Sequence, residues 1–197
     1  NKAISSLNKA QNLNPNFANY WFKEAAIFIQ QGKTFNAIES IKKGLVIDPN
    51  NSDAYFQLGN SRLIEKKFNT ALIAFQKASF INPKFWQAIN NQGLILFEMG
   101  KKQEAIEKWN IVLKIERDAE PLLALAVAMY ATKKDKLRSF DYAKEALDKN
   151  PNYVLDNYQK EQLWGKLLRK ATKQLFTSPE LNGTVQKALA NATLNNN

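Results

Sequence analysis

Pro15, Pro49 and Pro83 stand 34 residues apart, and Pro151 stands two further steps of 34 along the chain. The one vacant rung, Arg117, follows Ile115 and Glu116, which hold the places of Ile47-Asp48 and Ile81-Asn82 before their prolines. Gly59 and Gly93 keep the same interval of 34, and Gly32 and Gly100 keep twice it. A period of this size has room for two helices and their turns, and one such pair cannot bury its own apolar face. Successive pairs must stack to make a core. The chain is therefore expected to be all-α, a one-dimensional array that presents a surface to another molecule.

Residues 52–85 show the unit most fully, with Tyr55, Leu58, Gly59, Ala71, Phe75, Ala78 and Pro83. Gly59 and Ala71 are small enough to let the two helices touch, Tyr55, Leu58 and Phe75 fill the space around them, and Pro83 stops the second helix. Residues 86–119 repeat the set as Ala88, Gly93, Gly100, Ala105 and Trp109, and residues 18–51 as Trp21, Ala25, Gly32, Ala37 and Pro49. Residues 120–153 keep Tyr130, Ala143, Ala146, Leu147 and Pro151, but Lys134 takes the place of the turn glycine and Ser139 that of the packing alanine. Nearly place for place, this pattern resembles the tetratricopeptide repeat (TPR) family. The resemblance implies a right-handed α-solenoid of helix pairs, with repeats at 18–51, 52–85 and 86–119 and a degenerate one at 120–153. Trp21, Tyr55, Leu58 and Trp109 are expected in its core.

Both ends depart from the repeat. Residues 1–17, with Ala3, Leu7, Ala10 and Pro15, match only the second helix of a pair, so more chain is expected before Asn1; whether it holds a signal or membrane anchor is not set by these residues. From Val154 to Phe176 the apolar spacing predicts one long amphipathic helix that turns Leu155, Tyr158, Leu163, Leu167, Ala171 and Leu175 toward the array. Ser178-Pro179 reads as the N-cap and first residue of a last helix near Glu180 to Ala192. Residues 154–192 are expected to cap the array, and 193–197 to form a frayed tail.

The composition excludes much chemistry. The 197 residues contain no Cys and no His, which removes disulfides, thiol nucleophiles, most zinc sites and every His-based triad. Asp48, Glu65, Glu104 and Glu107 fall at turns or outward helix positions, with no pairing at the spacing of two-carboxylate catalysis. No phosphate loop is present, and no stretch approaches the roughly 18 apolar residues of a membrane span. The expectation is a non-enzymatic protein with no metal and no cofactor.

What remains is recognition. In the TPR family the first helix of each pair lines a concave groove that holds peptides. Carried onto this chain, the resemblance puts Asn19, Phe22, Ala26 and Ile29 there, then Asp53, Phe56, Asn60 and Leu63, then Gln87, Asn90, Leu94 and Phe97, and last Ala124, Ala128 and Ala131. Asn19, Phe22, Phe56, Asn60, Gln87, Asn90, Leu94 and Phe97 are the expected contacts, the amides bonding a peptide backbone and the aromatic rings supplying pockets. Members that grip chaperone tails clamp a terminal carboxylate with Lys, Asn and Arg. The matching places here are Phe56, Asn60, Asn91, Pro121 and Leu125, or one repeat earlier Phe22, Ala26, Gln57, Gln87 and Asn91. Every cation is missing, and carboxylate-clamp chaperone binding is not expected.

The net charge of +10 gathers at the turns between paired helices: Lys33, Lys66, Lys67, Lys101, Lys102, Lys133, Lys134, Lys136 and Arg138. Stacked turns would align these nine cations along one edge, suited to anionic lipid, acidic protein or nucleic acid. Abundant Lys and Asn throughout the chain offer a plainer account, compositional bias. A second resemblance lies in 160–168 (Lys-Glu-Gln-Leu-Trp-Gly-Lys-Leu-Leu) with Thr172, Leu175 and Pro179, and in Leu123 to Tyr130. These segments are similar to the tails of cyanobacterial and plastid TPR proteins tied to assembly at thylakoid membranes. That likeness implies a membrane-peripheral, thylakoid-associated assembly factor; without it the location reads as cytoplasmic or unassigned. The alternative of another class is an RNA-binding helical-repeat protein using the basic edge. A groove without cations and a period held at 34 make specific nucleic-acid reading the weaker expectation.

Overall fold

The structure, a computed structural model, describes Asn14 and residues 16–192. The expected helix within 1–13 and the tail 193–197 lie outside the described residues. Those described are helical and carry no strand. Four pairs come first: α1 (Ala18–Gln30) with α2 (Thr34–Ile47), α3 (Ser52–Ile64) with α4 (Phe68–Ile81), α5 (Trp86–Glu98) with α6 (Lys102–Val112), and α7 (Ala119–Ala131) with α8 (Lys136–Lys149). A 3₁₀ turn at Pro151–Val154 leads to α9 (Asp156–Glu161) and α10 (Lys166–Phe176), and a second at Pro179–Leu181 leads to α11 (Asn182–Ala192). The second helices start at 34, 68, 102 and 136, steps of 34 throughout. The described residues are thus all-α, four helix pairs followed by a C-terminal segment, and the chain forms two compact units, one ending at Ala88 and the other starting at Ile89.

Each turn between paired helices closes in one way. A residue with positive φ (Gly32, Lys66, Gly100, Lys133) follows the first helix, and the next N–H reaches back to a carbonyl five residues earlier. Lys33 donates to Phe28, Lys67 to Arg62, Lys101 to Leu96 and Lys134 to Met129, at 2.8 to 3.2 Å. The closure satisfies carbonyls that the helix end would leave open, and glycine suits its left-handed position. In the fourth repeat that position falls on Lys133 rather than on the expected Lys134, because α7 starts one residue early in the period. Lys66 and Lys133 thus hold a conformation disfavoured by their Cβ atoms. Lys66→Gly should raise the stability of the first unit by about 0.5–1 kcal/mol, measured by urea titration, since the gain in unfolded-chain entropy offsets part of the relieved strain.

In the first unit Ala25, Ile41 and Ala54 form a buried cluster, with Phe22, Leu45 and Leu58 packed partly against it. Gly59 faces the ring of Phe75, 2.6 Å from where a Cβ would stand, and Ala71 is wholly buried. Trp21, Tyr55 and Leu58, expected in the core, are only half-buried.

In the second unit Trp109 lies against Gly93 in the same way. Helix α7 is apolar on every side, and apart from Glu120 every residue from Ala119 to Met129 is buried. It packs on α6, α8 and α10. A helix with no polar face must be enclosed on all sides. The long helix expected over 154–176 is broken, because Leu163 takes a positive φ of 64° and Trp164 N–H closes back on Gln159, the turn motif again. Gly165 is then extended and α10 begins afresh. The break turns Leu168 and Leu175 inward but leaves Leu167 48% exposed, contrary to the expected stripe. Arg117, at the vacant rung, fastens the loop after α6 to Glu145 of α8 by two hydrogen bonds of 2.7 and 2.5 Å. Among the described residues no helix is long and apolar enough to cross a membrane.

Candidate peptide-binding face

In the first unit α1 supplies Asn19, Phe22, Ala26 and Ile29 to one face, and α3 brings Asp53 and Gln57 beside them. Together with Ala25, Gln30, Ile41, Asn51 and Ala54 they line an open cavity of about 460 Å³. Helix α3 is set in place by Asn51, whose side-chain oxygen accepts the Ala54 N–H at 2.9 Å as an N-cap. Phe22 lies flat on the backbone of Gly44, where any Cβ would overlap the ring. Behind α1, Ser40 donates a 2.6 Å hydrogen bond to the buried Glu24 carboxylate and locks α2 to α1. Asp53 is the one charged residue on the cavity lining; the rest is amide or apolar.

The other expected contacts of this unit stand apart from that cavity. Phe56 is half-buried between Phe75, at 5.6 Å between ring centroids, and Phe85, at 4.8 Å, which makes it an internal packing ring with one accessible edge. Asn60 and Gln87 are half-buried.

The second unit corrects the expectation. Asn90, Leu94 and Phe97 are buried, as are Ala124 and Ala128, so none of them offers a surface to a ligand. Asn90 and Phe97 meet Trp109 of the partner helix α6, and the C-terminal segment lies over α7 and the end of α5. Helix α10 packs on α7, and the Glu98 carboxylate at the end of α5 accepts the N–H groups of Leu167 and Leu168 at 3.1 and 2.8 Å. An acid at a helix N-terminus satisfies orphan donors and complements the dipole. Gly165 leaves room for this contact, because a Cβ there would push the Glu98 carboxyl aside. Ser178 Oγ donates to the Tyr130 hydroxyl at 3.1 Å and fastens the segment further along.

A polar chain runs under this cover. Trp109 donates its indole N–H to Asn90 Oδ1 at 3.0 Å, the Asn90 amide bonds the Glu120 carboxyl, and Trp164 donates to Glu120 Oε1 at 2.8 Å. Glu120 is half-buried as a residue, but its carboxyl lies at the inner end among Trp164 and Asn90, and the loss of water there pushes it up to about 7, against the two hydrogen bonds that favour its charge and with a smaller push from Asp118. Burial, with the Glu120 charge beside it, also raises the Tyr153 phenol, whose ring lies 5.7 Å from that of Trp164. Asn90 is thus the acceptor and donor that links two tryptophans through one carboxyl, a structural role.

The turn cations are exposed except Lys102, which is half-buried. Several have local partners. Lys67 pairs with Glu65 at 3.1 Å and Lys101 with Glu104 at 3.3 Å. Lys134 donates to Gln103 at 2.9 Å, and Lys136 and Arg138 lie over aromatic rings of the fourth pair. The Arg62 and Lys67 partners hold Glu65 below the usual carboxylate range.

Helix pairs at a 34-residue interval, closed by one turn motif and packed through small residues, define a helical-repeat protein. The sequence profile of the tetratricopeptide repeat matches residues 41–73. A protein of Mycosarcoma maydis, "Small glutamine-rich tetratricopeptide repeat-containing protein 2", is 36% identical over 81 residues, 41% of this chain and 23% of that protein. The crystal structure of MamA superposes with a TM-score of 0.68 at 24% identity, covering 81% of this chain and 89% of that one. YrrB, described as a TPR protein with an unusual peptide-binding site, gives 0.68 at 13% identity and covers 95% of this chain and 99% of its own. Residues 41–73 thus match one tetratricopeptide repeat, and the described residues share the all-α repeat fold of YrrB. The chain spans 7% of the length of some curated relatives that it matches and 36% of others.

Proposed function

We propose that this chain is a non-enzymatic scaffold that holds a segment of a partner protein on the α1–α3 face of its first unit. One observation carries the reading: that face is an open apolar and amide-lined cavity, whereas the corresponding residues of the second unit are buried. Asn19 and Gln57 suit a peptide backbone, while Phe22 and Ile29 form an apolar floor. Asp53 as the one charge on the lining disfavours a terminal carboxylate and suits a lysine, an arginine or an amine. A clamp for chaperone tails does not fit this lining, and neither does RNA, whose phosphates call for cations. YrrB, of the same fold, binds peptide. An assembly role near a membrane rests on the likeness of residues 160–179 to thylakoid-linked tails.

Ala26 is exposed on the lining, so Ala26→Arg should obstruct the cavity without disturbing the core. Partners captured from native extract by the wild type should bind the variant about 30-fold more weakly by calorimetry, the scale of one central contact, with helicity unchanged. Equal affinity in the two proteins would remove this face from the function.

A further inference from the structure

The outer face of the first unit's second helices carries side chains that the fold does not use. Val46 on α2 is 83% exposed, and on α4 Phe80 is 78% and Ile73 64% exposed. Val46 and Phe80 hold the same place one period of 34 apart, in pairs joined by packing of α2 on α3, so both point outward from the same side of the unit. Ile73 stands two turns before Phe80 on one stripe of α4, about 10 Å along the helix. Lys77 lies between them with its ammonium 5.4 Å from the Phe80 ring, Lys42 neighbours Val46, and Lys84 follows the helix. Over its 14 residues α4 contains no acid, and the one carboxylate of this register on α2, Glu39, is paired with Lys42 at 2.9 Å.

This filling does not belong to the repeat. The places of Ile73 and Phe80 are taken in the third repeat by Glu107 and Lys114, and in the fourth by Asp141 and Asp148. A repeat protein needs polar residues there for solubility, so large apolar side chains at these places on the first unit's second helices call for a partner. We propose that this face is a docking surface for an anionic lipid bilayer, with Val46, Ile73 and Phe80 entering the headgroup boundary and Lys42, Lys77 and Lys84 meeting the lipid charge. Charge complementarity and side-chain type select this occupant. The face is cationic with its acid neutralised, its apolar groups are spaced along two helices, and Val46, Ile73 and Phe80 line none of the cavities beside α1 and α2. Lysine stems lie along apolar surface while their ammonium groups stay at the interface, the arrangement of helices that bind flat on membranes. The inference is independent of the cavity on the opposite helices. It moves any membrane role away from the turn cations, whose exposed apolar neighbours Phe35, Ile64 and Leu137 stand singly at the helix ends rather than along one helix stripe.

The absence of cysteine allows a clean test. Gln76→Cys, exposed on the same stripe, and Asp141→Cys, in the acidic register of the fourth repeat, are each labelled with an environment-sensitive dye and mixed with vesicles. On phosphatidylcholine vesicles with about a third phosphatidylserine, at low salt, the label at 76 should brighten and shift to the blue, and the label at 141 should not. Pure phosphatidylcholine should give little response. Ile73→Ser with Phe80→Ser, or Lys42→Glu with Lys77→Glu, should each weaken partition at least about tenfold, whereas Lys33→Glu, Lys66→Glu and Lys67→Glu together should change it less than about twofold. No binding to anionic vesicles overturns the proposal. So does binding in which the label at 76 stays in water, and so does a vesicle-independent response that grows with protein concentration, the signature of a second copy on this face.

Discussion

Ala71→Arg should cost the first unit at least about 3 kcal/mol and lower its melting temperature by many degrees. Ala71 is wholly buried on α4, one turn before Phe75, and Phe75 already fills the space that Gly59 leaves on α3. A guanidinium there has no free carboxylate at hand, since α4 and the stretch of α3 around Gly59 contain none and Glu65 in the turn is already paired with Arg62 and Lys67. It must therefore push the helices apart or carry water into their contact. Asn69→Arg, exposed on the same helix two residues earlier, controls for the charge itself and should melt within a degree or two of wild type. If Ala71→Arg also melted there, the assignment of Ala71 to the helix contact would be wrong.

Ala71 was readable because repeat chemistry is written in residues with sharp steric roles. Proline and glycine punctuate the chain, and alanine or glycine marks a close helix contact, so the period, the pairing and the core of 52–85 follow from their spacing. The candidate face was readable only halfway. Spacing tells which residues of a first helix share a side, and Asn19, Phe22 and Ala26 do line one cavity, although Phe22 also packs on Gly44 of the partner helix. It does not tell how deeply each side chain is enclosed, and Asn90, Leu94 and Phe97 are buried, Asn90 and Phe97 against Trp109. One signal was available: eight consecutive apolar residues from Leu122 to Met129 leave α7 no solvent face, so some further element had to lie over it. The element itself gave a weaker sign. Gly165 inside an otherwise helical pattern announced a close approach, and Glu98 makes it. The left-handed turn at Leu163 had no sign at all, since leucine seldom adopts it and nothing local asks for it.

The carboxyl enclosed by that cover leads to the second large expectation, in pH. Glu120 lies in the first turn of α7, where the helix dipole favours its charge, yet burial wins and lifts it from 4.5 to about 7. A carboxyl whose folded pKa is raised holds its proton more tightly in the native state than in the unfolded one. Its contribution to stability is therefore full below about 4.5, shrinks as pH rises, and is gone above about 7. The difference across that window is on the order of 3 kcal/mol at most, falling with rising pH, opposite to the usual acid denaturation. The window is unusually clean, because the chain has no histidine and no cysteine to titrate within it. Glu120→Gln keeps an oxygen to accept the Trp164 indole N–H but cannot ionise. Urea titrations at pH 5, 6, 7 and 8 should show the second unit of the wild type losing stability with pH while the variant stays nearly flat. The variant should equal or exceed the wild type at pH 8, whatever its offset at pH 5, because only the wild type then carries a buried charge. Parallel pH profiles for the two proteins would mean that Glu120 reaches water in the native state, and that the contacts of Trp164 and Asn90 do not enclose it.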